Sequence, residues 1–172
     1  MPTRRTRLLA PVLLTTAGLA FAGCGGGGGG DEDAYVQTYE ASCKKIQTVQ
    51  TDLQKELTAK VADAGSDQAK VLAIVKETSS EAFGTFAAEF KKLADADAPD
   101  KWSDFQDKIK KASEPVISKL EEGQKKFESA KTAQELSSVG NSLGSLDIDD
   151  VKTPKDLEEK VPSCRFGSSA SS

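Results

Sequence analysis

Three features of the 172-residue chain predict an all-α fold: an antiparallel bundle of three long helices with one or two short helices at the carboxyl end. Apolar residues recur at three- and four-residue spacing through long windows. Strict apolar/polar alternation is absent, and the β-branched residues are scattered at helical spacing, so nothing reads as a strand. Glycine, proline and capping residues then cut the chain into helix-length pieces joined by short loops.

The first helix is predicted over about residues 34–62. Val36, Tyr39, Cys43, Ile46, Leu53 and Leu57 fall on one stripe, with Gln50 in the missing seam position. Gly65 ends it, and Ser66 with Asp67 caps the next helix. That second helix, about 67–94, aligns Leu72, Val75, Ser79, Ala82 or Phe83, Phe86, Phe90 and Leu93, until Asp95-Ala96-Asp97-Ala98-Pro99 breaks it. The third begins near Asp100 and carries Trp102, Phe105, Ile109, Ala112, Val116, Leu120 and Phe127. Pro115 inside it lacks the amide proton and crowds the preceding turn, which predicts a kink or a break. Thr132-Ala133-Gln134-Glu135 has the form of a capping box, opening a shorter helix with Leu136, Val139, Leu143 and Leu146. Thr153-Pro154 predicts a cap followed by proline at the first helical position, for a final turn or two through Lys160. The bundle is thus read as residues 34–166, and Gly-Ser-Ser-Ala-Ser-Ser at 167–172 as a disordered tail.

Composition narrows the chemistry. With no histidine in the chain, the Ser-His-Asp and Cys-His nucleophilic systems and His-ligated zinc are excluded. The 27 acidic against 23 basic side chains argue against a nucleic-acid partner, which needs a clustered basic face. A nucleotide-binding loop is not expected either, because the glycine run lacks a Lys-Ser/Thr ending and a preceding strand.

The first 23 residues read as an address. Arg4, Arg5 and Arg7 precede a broken apolar stretch from Leu8 to Ala22, too short for a transmembrane helix, which needs about 20 apolar residues. It ends in Leu19-Ala20-Phe21-Ala22-Gly23-Cys24. This run resembles the lipobox of bacterial lipoproteins, with Phe21 standing where the family usually has leucine. The resemblance implies a diacylglyceryl group on the Cys24 thiol, cleavage between Gly23 and Cys24, and further acylation of the new amine with fatty chains such as palmitate. It therefore implies a membrane partner through the lipid anchor and a place on the extracytoplasmic face of the cell membrane. Loss of three arginines with the leader takes 23 basic groups to 20 against 27 acids, a formal charge of −7.

Residues 24–33 then read as a lipidated cysteine and a tether. Gly25 to Gly30 cannot build a core and lose the most backbone entropy on ordering, and Asp31-Glu32-Asp33 follow. At about 5–6 Å × √n, nine tether residues span roughly 15–18 Å. Acidic groups beside an anionic membrane also favour a domain held off its surface. Lipidation of Cys24 turns an odd cysteine count even, and in an oxidising compartment Cys43 and Cys164 are expected to pair. The pair closes a loop of about 120 residues and supports seams thinned by alanine and serine. The mature domain also loosely resembles small helical-bundle lipoproteins, a likeness of pattern that transfers no site.

Sites of chemistry are sparse. Asp147-Ile148-Asp149-Asp150 starts like a calcium loop and then fails, with Val151 at position 5, Lys152 in place of the glycine at 6, and Pro154 stiffening the middle. No metal or cofactor is expected. Asp95, Asp97 and Asp100 are read as capping and charge-complementing the third helix. The lysine doublets Lys44-Lys45, Lys91-Lys92, Lys110-Lys111 and Lys125-Lys126 read as mixed-charge solvent faces, given pairs such as Glu40–Lys44 and Glu122–Lys126. Phe83, Phe86, Phe90, Trp102 and Phe105 form the densest aromatic group, around the junction of the second and third helices. Core packing is its first reading; an apolar ligand pocket between helices, or Trp102 as a partly exposed interaction anchor, is the alternative. The expectation is a lipoprotein whose bundle is non-catalytic and serves protein contacts or display, or else carries a small apolar ligand.

Overall fold

The computed structural model describes residues 29–143 and 151–164. Cys24, the leader, the acidic run 147–150, Leu146 and the tail lie outside the described residues, as does the side chain of Leu143.

Helix α1 spans Glu32–Ala64. Asp31 caps it, its Oδ1 accepting from the Ala34 amide at 2.8 Å, and Glu32 and Asp33 complement the helix dipole in the first turn. The residues 31–33 read as tether therefore belong to the bundle. Gly30 is held as well, its amide donating to the Ala98 carbonyl at 3.0 Å. A Cβ on Gly30 would collide with the Asp97 carbonyl, so this close approach requires glycine.

Gly65, at φ +58°, ends α1 with its amide on the Ala62 carbonyl, and Asp67 caps α2 (Gln68–Ala94) as the sequence predicts. After Pro99 a 3₁₀ turn, Asp100–Trp102, leads into α3 (Ser103–Ser129). Neither start carries a side-chain cap, which corrects the capping role expected of Asp95, Asp97 and Asp100. The Asp100 carbonyl is engaged instead, by the Ser103 hydroxyl at 2.9 Å. α3 runs through Pro115 without a break. Proline costs one bond to the Lys111 carbonyl, but Pro115 and Lys111 are both exposed while Val116 and Leu120 are buried on the opposite side. Burial of that face outweighs one missing bond that water can replace.

The capping box forms as predicted. The Glu135 amide donates to Thr132 Oγ1 at 3.2 Å, and Glu135 Oε2 accepts from the Thr132 and Lys131 amides, opening α4 (Ala133–Leu143). At the last helix the boundary shifts by one place. The Pro154 carbonyl takes the first helical bonds, making Pro154 the cap of the single-turn α5 (Lys155–Glu158), before a 3₁₀ turn at Pro162–Cys164.

Helix α2 is central, packed between α1 and α3. Gln106 meets Leu93 and Ala94, Gln124 meets Gly84, and Glu128 meets Ser80, so α3 descends as α2 ascends. Among the described residues there is no strand, and no helix is long and apolar enough to cross a membrane.

Burial is uneven along the axis. At the end carrying Trp102, Tyr35, Tyr39, Cys43 and Ile46 of α1 pack with Leu93, Trp102 and Phe105. Leu157 and Val161, both fully buried, fasten the segment 151–164 over them as a strap. Toward the Gly65 turn the last buried residue of α1 is Ile46 and the first of α2 is Thr78. Beyond them the two helices form a hairpin joined by half-buried residues such as Leu53, Leu57, Val71 and Ile74.

Candidate functional site

The strap end is built around a polar hub that the sequence reading missed. Tyr35 and Tyr39, one helical turn apart, both donate their hydroxyls to Gln106 Oε1 at 2.7 Å. Gln106 Nε2 in turn donates to the Leu93 and Ala94 carbonyls at 2.8 and 2.9 Å. One amide side chain thus satisfies two buried hydroxyls and two carbonyls at the end of α2. Burial holds both phenols neutral, raising Tyr35 to about 12 and Tyr39 higher still. The available signal was the tyrosine pair itself, the only two tyrosines in the chain, whose buried hydroxyls demanded a partner.

Cys43 and Cys164 are joined by a disulfide, with Cα atoms 5.1 Å apart across a sequence separation of 121. Around it Glu40 accepts from the Ser163 amide and hydroxyl, and Gln47 Nε2 donates to the Ser163 carbonyl at 2.7 Å. Lys160 and Lys101 converge on the Glu32 carboxylate at 2.5 and 2.7 Å, and together they hold its pKa below the ordinary value.

The five aromatic residues singled out from the sequence divide. Trp102 is 1% exposed, against Tyr35 at 5.5 Å between ring centroids, with the Lys101 ammonium 4.2 Å above the indole. Its Nε1 donates to Asp156 Oδ2 at 3.0 Å. This burial corrects the reading of Trp102 as a partly exposed anchor: the strap covers the ring. Phe105 packs on Tyr39 at 6.0 Å. Phe83 instead stacks on Phe127 at 5.2 Å, in a second cluster with Ala130, Leu136 and Val139. Phe86 and Phe90, half-buried, lie between the groups.

Open grooves flank the N-terminal half of α2. One of about 570 Å³ is floored by Ala69, Leu72 and Ala73 and edged by Glu77, Glu81 and Glu128. A wider one of about 960 Å³ runs from Gly65 and Leu72 to Lys131 and Leu136. A third, about 440 Å³, lies between Lys60 and Lys70. The acidic field across this end reaches α1: Glu56, 2.8 Å away, raises the pKa of Lys60 above its ordinary value, and Glu77 and Glu81 add to it. Among the described residues, no three Cys, Asp or Glu side chains gather as a metal-holding group. No family model, curated protein or solved structure matches the chain.

Proposed function

We propose that this chain is a bacterial lipoprotein, anchored through acylated Cys24 on the extracytoplasmic face of the cell membrane, whose non-catalytic helical bundle serves protein contacts. The observation that carries the reading is the fate of the cysteines. Cys43 and Cys164 are joined to each other, so Cys24 is the one cysteine outside the bridge, and it sits at the end of the lipobox-like run Leu19–Gly23. A disulfide closing almost the whole domain also fits an oxidising compartment.

The architecture suits such an anchor. Helix α1 starts at Glu32, and five residues of chain from Cys24 to Gly29 reach at most about 18 Å. The strap end, where Gly30 meets Ala98, therefore lies near the membrane. At about 1.5 Å per residue, the 33 residues of α1 set the Gly65 turn roughly 50 Å along the bundle from that end. The grooves around Leu72 are then presented at the far end, while Asp31 and Glu32 near the strap are engaged in capping and ion pairs.

Intact mass of the chain purified from bacterial membranes tests this. Acylation is expected at Cys24, with residues 1–23 removed and two cysteines oxidised. Cys24→Ser is expected to lose the added mass and leave the membrane fraction. A chain that keeps its initiator methionine and carries no lipid overturns the reading.

A further inference from the structure

We infer that the groove on α2 beside the end of α3 docks a basic amphipathic helix of a partner protein. This deepens the interaction role proposed above and rests on it, but not on the acyl anchor.

The shape comes from helical spacing. Ala69, Ala73, Lys76 and Ser80 recur at three- and four-residue steps, so they share one face of α2. Three of the four are small, which lets a second helix approach closely, and Leu72 adds an apolar wall. Of the other sides of this stretch, α1 packs along one and Leu136 and Val139 of α4 share a cluster with Leu72 and Val75 on another, each edged by one of the two further grooves. The face toward Glu128 stays open as a trough of about 570 Å³.

Charge selects the occupant. Glu77 and Glu81 line the trough from α2 and Glu128 faces them from α3, against Lys76 in the lining and Lys60 of α1 within the field of Glu77 and Glu81. Glu128 is held in place by the Ser80 hydroxyl at 2.9 Å and Gln124 Nε2 at 3.1 Å, both on Oε1. A partner with lysines or arginines flanking an apolar stripe would set that stripe on Ala69, Leu72 and Ala73 and its cations on the three carboxylates. An acidic helix or an anionic membrane surface would meet like charge at the same rim.

The test uses the full chain purified in detergent and a labelled synthetic peptide of Lys/Leu amphipathic helical pattern, with a Glu/Leu peptide of the same pattern as comparison. Fluorescence anisotropy is expected to show binding of the basic peptide alone. The combination Glu77→Gln, Glu81→Gln, Glu128→Gln is expected to weaken it at least tenfold. Removing three exposed charges near the other end (Asp104→Asn, Asp107→Asn, Glu159→Gln) should change it by less than threefold. Ala73→Arg, at an exposed position in the trough, should abolish binding while leaving the helical circular dichroism unchanged. Equal weakening by both charge sets, absence of binding, or an unaffected Ala73→Arg variant overturns the inference. So does self-association of the chain that Ala73→Arg removes, which would make a second copy the occupant. Acyl mass is read on the same preparation, so failed peptide binding with intact lipid breaks this inference and leaves the anchor standing.

Discussion

The two ends of this bundle solve the same packing problem by different means. At the strap end α1 buries two tyrosines, a cysteine and an isoleucine against Leu93, Trp102 and Phe105, and the carboxyl-terminal segment closes over them. At the Gly65 end the same two helices continue with no buried residue beyond Ile46 in α1 or before Thr78 in α2. Large aromatic side chains bring 150–250 Å² of buried surface each, whereas alanine and valine bring little, so cohesion concentrates where the aromatics are. The difference teaches where rigidity and contact separate: the stapled end resists opening, and the thin end leaves helix surface available.

The largest effect expected is loss of the staple. Cys43→Ala with Cys164→Ala removes a cross-link closing about 120 residues, worth roughly 5 kcal/mol by the chain-entropy argument. Denaturant unfolding followed by Trp102 fluorescence should show it as a lower midpoint. A loss near zero would mean that Leu157 and Val161 hold the strap unaided and that the comparison overstates the bridge.

Next comes the polar hub. Gln106→Leu keeps bulk but strands two hydroxyls and two carbonyls, for an expected cost of about 3 kcal/mol. The tyrosines give an independent readout, since they are the only two in the chain. Their folded pKa values are raised, Tyr35 to about 12 from 10.0. The stability linked to the neutral form of Tyr35 is therefore complete below pH 10 and is lost as pH rises from 10 through 12, and that linked to Tyr39 is lost over a range that reaches still higher. Tyrosinate absorbance should stay flat near pH 10 and rise only with loss of helical circular dichroism. A separate ionisation step before unfolding would show that the hub is open to water.

How much of this was legible depends on the kind of interaction. The helices were readable because caps and apolar spacing are local: Asp67, Gly65 and the Thr132–Glu135 box act within one turn of where they stand. The cysteine pairing was readable because setting Cys24 aside as the expected lipid site leaves two partners. What stayed hidden is non-local. Gln106 looks like a surface residue until Tyr35 and Tyr39 are brought to it from about 70 positions away. Burial of Trp102 depends on Asp156 and Val161 arriving with the strap. Pro115 reads as a breaker because propensity is local, while the burial of Val116 and Leu120 that carries α3 past it is not. The open trough was invisible for the same reason, since Glu128 joins Glu77 and Glu81 only after α3 folds back on α2.

Substitutions toward the thin end sharpen the comparison from the other side. Gly65→Ala has open space for its methyl group, yet φ +58° with ψ −126° is outside even the left-handed helical region and strains any L-residue, so a loss of about 2 kcal/mol is expected. Leu57→Ala, at a half-buried position, should cost less than about 1 kcal/mol, because it removes contacts that water already partly replaces. Both are measured by thermal unfolding. A cost of 3 kcal/mol or more at Leu57 would place real cohesion in the outer hairpin and erase the distinction between the ends.

The smallest effect belongs to the ion cluster beneath the strap. Lys101 and Lys160 hold the Glu32 carboxyl below its ordinary 4.5, so the linked stability is present above that pH and fades as acid protonates the group through its lowered pKa. All three side chains are more than a third exposed, and exposed pairs are screened by solvent and salt. Glu32→Gln should therefore move the acid-unfolding midpoint slightly at low ionic strength, and the shift should vanish in 1 M salt. A shift that persists in high salt would mean that the strap excludes solvent ions from these charges. The electrostatic contacts would then share in closing the strap with the disulfide and the buried leucine and valine.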